Sequence, residues 1–212
     1  MFNKTLVINL MLRFILFRPS FVESTVFRKI MMIFPSFLSG RIDFDALISK
    51  EENYDLAIKK ALEKYQELKA DKTDKILDLA AGTGAISVIL AENFKESEVI
   101  AVDLAEEMLA EAEKKASQKS LNNLRTKIND VYNLDFKDDS FDLVTVSNAP
   151  FSFKEVKRVL KEDAFFIITI SHGGGFLETK KEKLARKLKN QGFNLEAVAA
   201  EENSGVYLIL KN

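Results

Sequence analysis

The sharpest change of pattern along the chain falls between Lys75 and Phe94, KILDLAAGTGAISVILAENF. Ile76, Leu77 and Leu79 make a short apolar run of the kind that forms a buried strand, which breaks at Gly82-Thr83-Gly84 and resumes as Ala, Ile, Val and Leu at helical spacing. A strand, a tight glycine turn and a helix are predicted. Glycines at such a turn let a ligand approach the backbone, and the unpaired N–H groups of the first helical turn point at it.

The rest of the chain alternates in the same way. Tyr54, Ile58, Ala61, Leu62, Tyr65 and Leu68 recur at helical spacing behind a capping box at Ser49 to Glu52. Beyond the central motif, apolar strands are predicted at Glu98 to Val102, Arg125 to Ile128, Leu143 to Ser147 and Phe165 to Ile170, with a helix from Ala105 to Lys119. A basic amphipathic helix over Leu177 to Asn190 follows Gly173-Gly174-Gly175, and Asn194 to Ala200 with Val206 to Leu210 reads as a closing hairpin. Strands alternating with helices imply an α/β domain with a mostly parallel sheet covered on both faces. The division expected is an apolar, basic helical extension over residues 1–48 and a single domain over residues 49–212.

Composition narrows the chemistry. The 212 residues contain no cysteine and one histidine, His172, which excludes disulfides, thiolate ligands or nucleophiles, and zinc sites built on several histidines; no metal site is expected. Net charge is −1, but residues 1–41 carry six Lys/Arg and one Glu while the remainder holds 25 Lys/Arg against 31 Asp/Glu. An acidic body opposes binding to a phosphate backbone, so nucleic acid is not the expected partner.

The extension holds eight of the seventeen Phe by residue 44. Its longest uncharged stretch near the start, Thr5 to Leu12, is far short of the roughly 20 residues that span a bilayer. Pro19 and Pro35 bracket a second amphipathic segment lined by Val22, Val26, Ile30 and Ile33. Three readings stay open: packing on the body or at an oligomer contact, a lid over an apolar substrate, and a basic anchor through residues 1–40 at a membrane surface. The expected location is cytoplasmic, with membrane-peripheral attachment under the third reading.

Two acids stand at successive strand ends, Asp78 and Asp103, and a carboxylate at the second tip can hold both hydroxyls of a ribose. The third glycine of a dinucleotide fingerprint is replaced by Ser87, and Asp78 would repel a pyrophosphate. The run D-L-A-A-G-T-G resembles the first motif of class I S-adenosylmethionine (SAM) methyltransferases, with Ala80 at the first glycine position, as in the ubiquinone/menaquinone C-methyltransferase group. V-D-L-A-E-E-M-L at 102–109 is similar to the second motif, and D-D-S-F-D-L-V, K-E-V-K-R-V-L-K and F-F-I-I-T-I are similar to the later course of the small-molecule members. Glu162-Asp163-Ala164 departs from the usual Pro-Gly-Gly turn, and the connection between the fourth and fifth strands is short.

This resemblance covers about residues 50–212. It implies a Rossmann-like seven-stranded sheet with an antiparallel last strand, SAM as cofactor, and a small-molecule acceptor. The cradle it implies is Asp78, Ala80, Gly82, Thr83 and Gly84 at the turn, Asp103, Leu104 and Met108 after the second strand, Asp130 and Val131 after the third, and Asn148 after the fourth, with Asp130 accepting from the adenine amino group and Met108 against the ring.

Methyl transfer from a sulfonium needs mainly alignment, which supplies roughly 7–11 kcal/mol. No catalytic residue is assigned; His172, as a general base, and Asn148 are the candidates. Asn148-Ala149-Pro150-Phe151 also resembles the N-x-P-F/Y motif of amino methyltransferases, in which the aromatic ring stacks on the target base, so N-methylation of nucleic acid or protein is the alternative activity. A non-enzymatic binding module with the same fold is the other.

Overall fold

The computed structural model describes residues 55–69, 71–170, 181–201 and 205–212. The extension, the capping box at Ser49, the start of the basic helix and His172 lie outside the described residues. In chain order the elements are α1 (Leu56–Leu68), β1 (Lys75–Leu79), α2 (Ala85–Asn93), β2 (Glu98–Asp103), α3 (Glu106–Gln118), β3 (Leu124–Ile128), β4 (Phe141–Ser147), α4 (Phe153–Val159), β5 (Leu160–Ile170), α5 (Lys181–Asn190), β6 (Asn194–Glu201) and β7 (Gly205–Lys211).

The strands form one seven-stranded sheet in the order β3-β2-β1-β4-β5-β7-β6. β1 to β5 pair in parallel, while β7 runs antiparallel to both β5 and β6. Each central strand is apolar at consecutive positions because both of its faces are covered. Ile76, Val99, Leu143, Phe165 and Ile167 point to the side occupied by α1, α2 and Ala116 of α3. Their neighbours Leu77, Ile100, Val144, Phe166 and Ile168 point to the side occupied by α4 and α5. The Rossmann-like sheet with helices on both faces is therefore present as expected.

The departure at Glu162-Asp163-Ala164 has a local cause. The fourth helix ends at Val159, because Leu160 already pairs with Phe141 and opens β5. β5 then advances from Leu160 to Phe165 while β4 advances from Phe141 to Leu143, and the excess is taken up by a kink with Asp163 at φ 61°. Glu162-Asp163-Ala164 is thus an irregularity inside a strand, with an aspartate in the left-handed region that glycine favours.

α1 packs across β5 and β7, and its C-terminal end lies at the amino ends of the strands: Tyr65 meets Phe165 edge-on at 5.3 Å, and its hydroxyl bonds Thr73 just before β1. Its first residues therefore face the carboxyl ends of the sheet. Among the described residues no helix is long and apolar enough to cross a membrane.

Candidate active site at the carboxyl ends of β1, β2 and β4

β1 and β4 are neighbours whose connections leave to opposite sides of the sheet, the crevice in which open α/β sheets bind ligands. Non-glycine residues adopt left-handed backbone at both tips, Ala80 at φ 51° and Asn148 at φ 52°. Gly82 and Gly84 follow at φ 54° and 78°. A left-handed conformation costs an L-residue roughly 1–2 kcal/mol, so the tips are held in place by the contacts around them.

Those contacts are specific. Ala81 N–H donates to the Val102 carbonyl at 2.9 Å, and Gly82 N–H to Asp103 Oδ2 at 2.8 Å. Asp103 Oδ1 accepts from Ala105 N–H at 3.0 Å, so backbone donors on the turn and at the start of α3 fix both oxygens and leave each a further lone pair. Lys115 on α3 donates to the Thr83 carbonyl at 2.9 Å. The two glycines do different work. A Cβ at Gly82 would meet nothing within 4 Å, which is the opening a ligand needs, whereas one at Gly84 would come within 2.5 Å of Ala112 Cβ, where the turn lies directly on α3.

Asp78 sits beneath the turn and not at its face. It is 1% exposed, and its oxygens accept from Ser87 Oγ at 2.5 Å and Thr145 Oγ1 at 2.8 Å. It joins α2 to β4 and sets the turn's position from below. This also accounts for Ser87 at the third fingerprint position, since only a hydroxyl there satisfies the buried carboxylate.

Burial pushes the Asp78 carboxyl from about 3.8 up to about 6, the two hydroxyls opposing the rise and the like charge of Asp103 adding to it. The folded chain then holds a proton that the unfolded chain releases between these values, so stability falls as pH rises from about 4 to 6, by up to about 3 kcal/mol. Urea titrations across that range should show this slope in the native chain and lose it in Asp78→Asn.

The remaining predicted residues are partly assembled around this centre. Leu104 is exposed at 47%, next to Ile128 at 54%, and the two flank the β2 and β3 tips. Met108, half-buried, lies in the first turn of α3. Asp130 Oδ1 accepts from Tyr132 N–H at 2.9 Å, and Asn129 N–H donates to the Asp103 carbonyl, which places this loop beside the second acid. Val131 packs into the core on the α4 side. Asn148 N–H donates to the Thr169 carbonyl at 3.0 Å, and its side chain bonds Ser147 Oγ at 3.3 Å.

Phe151 is 3% exposed and lies edge-on to Phe153 and Phe166 at 4.8 and 4.9 Å. Enclosed in the core, it cannot stack on a base as the N-x-P-F motif requires. Sequence reasoning missed Thr145, Lys115, Ala112 and Thr169, none of which stands in a local motif. Thr169 Oγ1 is buried without a hydrogen-bond partner, a state that costs roughly 1–3 kcal/mol.

Residues 76–164 match a family profile described as a methyltransferase domain. The chain is 36% identical over 108 residues to a demethylmenaquinone methyltransferase of Lactobacillus johnsonii, covering 47% of this chain and 44% of that protein. It is 30% identical over 156 residues to a malonyl-[acyl-carrier protein] O-methyltransferase of Geobacter sulfurreducens, covering 68% and 55%. The chain thus spans about half the length of the curated relatives it matches. A SAM-dependent methyltransferase structure from Aquifex aeolicus shares the fold at a TM-score of 0.59 and 18% identity, covering 81% of this chain and 98% of that one. Residues 76–164 thus belong to the methyltransferase domain family, set in the fold of solved SAM-dependent methyltransferases.

Proposed function

We propose that the chain moves the methyl group of SAM to a carbon or oxygen of a small apolar or aromatic acceptor. The observation that carries this reading is Asp103, whose two oxygens are aimed by Gly82 and Ala105 N–H groups beside the open face of Gly82. A carboxylate held in this way matches a pair of vicinal hydroxyls, and the bare glycine lets the rest of the ligand lie against the backbone. The cofactor would supply an activated methyl group on a sulfonium. The chain's part is alignment: Asp103 fixes the nucleoside, Leu104 and Met108 border its base, and the tips of β1 and β4 set the line of approach.

Demethylmenaquinone and malonyl-[acyl-carrier protein] methyltransferases among the relatives support a small acceptor or small acyl group in preference to nucleic acid. The core position of Phe151 weighs the same way, against N-methylation of a base. Calorimetry with SAM and S-adenosylhomocysteine tests the reading. Binding is expected in the micromolar range or tighter, and Asp103→Ala should weaken it about tenfold to a hundredfold, from the roughly 1.5–3 kcal/mol carried by hydrogen bonds to a charged group. An unchanged dissociation constant in that variant would reduce Asp103 to a cap on α3.

A further inference from the structure

The acidity of the domain is not shared evenly between the two faces of its sheet. α4 and α5, which cover one face, carry eight Lys/Arg and two Glu between them, whereas α1, α2 and α3 on the other side carry five Lys/Arg and seven Glu. One helical layer is net +6 and the other net −2. Lys154 and Lys157 of α4 and Lys183, Arg186 and Lys189 of α5 are exposed, with Lys187 half-buried among them. Leu184 and Leu188 turn inward and anchor α5 in the core, which sends the cations of that helix outward. Glu155 is buried against Arg158 and the Leu134 N–H, so Glu182 is the exposed acid of the two helices.

These cations share one surface. Lys157 Nζ donates to the Gly192 carbonyl, in the turn that ends α5, at 2.8 Å and to Asn212 Oδ1 at 2.9 Å, and Phe153 of α4 meets Phe193 at 6.0 Å. Both helices descend from the carboxyl ends of the strands: α4 follows the β4 tip, and α5 leads from β5 to β6, which run parallel because each is antiparallel to β7. The patch thus begins at the rim of the site and extends about 15 Å along α5. Its make-up indicates the anion it meets. Five of the six cations are lysines, mobile point charges that suit a diffuse field, whereas arginine forks suit a fixed carboxylate or phosphate. Protein interfaces are centred on apolar or aromatic anchors. Among the described residues the exposed large apolar side chains are Leu104 and Ile128, at the β2 and β3 tips, across the sheet from α5 beside β6. The aromatic rings of this layer, Phe153 and Phe193, are buried and offer no stacking platform to a nucleic-acid strand.

We propose that the α4/α5 face is the surface by which the domain seats on an anionic lipid bilayer, with the carboxyl ends of the sheet at the edge of that contact. A broad basic face without an anchor at its centre matches a fluid sheet of negative charge. The acidic side of the domain turns away from the same sheet, which fixes the orientation. This goes beyond the methyltransferase reading and stands without it. Joined to that reading, it gives an apolar acceptor held in lipid a short path to the site.

The probe is a vesicle of phosphatidylcholine with about one-third phosphatidylserine, floated with the full chain at about 0.1 M salt and again at about 0.5 M, with pure phosphatidylcholine as the blank. The chain should float with the anionic vesicle alone and be released at the higher salt. Because residues 1–41 are also basic, two variants matched in charge locate the contact. Lys183→Gln/Arg186→Gln/Lys189→Gln should weaken vesicle binding roughly tenfold or more, since each basic residue near such a surface adds to the attraction. Lys59→Gln/Lys114→Gln/Lys119→Gln, the same loss from exposed positions on the other side, should leave binding nearly unchanged. Lys183→Arg/Arg186→Lys/Lys189→Arg should keep it, because a diffuse field responds to charge and not to the fork. All three variants should hold S-adenosylhomocysteine as the native chain does, so a failure of nucleoside binding bears on the methyltransferase reading and not on this face. Absence of flotation, equal losses in the two glutamine variants, or an α5 glutamine variant that floats like the native chain would overturn the proposal. So would tighter binding to a short RNA duplex than to the vesicle at equal phosphate, lost in that same variant, which would give the face to nucleic acid.

Discussion

Replacing Gly84 by Ala should lower the stability of the fold by about 3–4 kcal/mol, whereas the same change two residues earlier, at Gly82, should cost only about 1–2 kcal/mol. Both residues hold left-handed backbone, which charges an alanine roughly 1–2 kcal/mol at either position. Only at Gly84 does the added carbon run into a helix, 2.5 Å from Ala112 Cβ and 3.0 Å from its Cα. Forcing α3 off the turn adds about 1–3 kcal/mol. In a domain of this size the total amounts to a fall of about 10 °C in melting temperature. Gly84→Ala combined with Ala112→Gly should recover part of it. The ligand effects run the other way: Gly82→Ala, though well folded, should lose nucleoside binding because its methyl fills the open space. Thermal melts and calorimetry with S-adenosylhomocysteine together check both, and equal melting temperatures for the two variants would remove the Ala112 contact from the account.

The second large effect is expected at Arg158, which pins the chain between β3 and β4. Its guanidinium donates to the Leu134 carbonyl and Glu155 Oε2, each at 2.7 Å, to the Phe136 carbonyl at 2.7 Å, and to Asp138 Oδ1 at 2.9 Å. Glu155 also accepts from Leu134 N–H at 3.0 Å. Burial pushes the Glu155 carboxyl up, but the Arg158 guanidinium and the Leu134 N–H outweigh it and hold it below the ordinary range. Arg158→Ala strands this buried carboxylate and frees two carbonyls. Because the arginine is partly exposed, we place the loss at about 2–3 kcal/mol, at the lower edge of what breaking a buried pair costs. Lysine should not rescue it, since one ammonium cannot serve partners spread over a planar fork. Adding Glu155→Gln to Arg158→Ala should restore some stability by removing the uncompensated charge. Urea unfolding of the three variants measures each quantity, and an Arg158→Lys midpoint equal to that of the native chain would sink the fork argument.

These two cases show where the sequence was legible and where it was not. The change from a strand pattern to a helix pattern around Gly82 located β1, the turn and α2 to within a residue or two, because both signals are local and strong. The E-x-x-R spacing within KEVKRVLK was readable as a motif, but its purpose depends on carbonyls some twenty residues upstream that no local pattern announces. Asp78 is similar. An acid at a strand end reads as an exposed ligand until Thr145, 67 residues later, is brought beside it in the next strand. Gly82 and Gly84 look alike in the sequence, and only α3 lying on the second separates them. Phe151 misled for a related reason: an aromatic after Asn-Ala-Pro has the spelling of a stacking platform, but two core phenylalanines, Phe153 and Phe166, enclose it where the chain turns into α4. Val131 was drawn into the core in the same way.

α3 meets the proposed cofactor cradle at three points: Ala112 under Gly84, Lys115 on the Thr83 carbonyl, and the Ala105 N–H on Asp103. The turn and Asp103 are therefore registered to each other through a single 13-residue helix, much of whose surface is open to solvent. A compound that wedged beneath α3 from outside could disarm the site without competing for it, and saturating cofactor concentrations in a cell would give little protection against it.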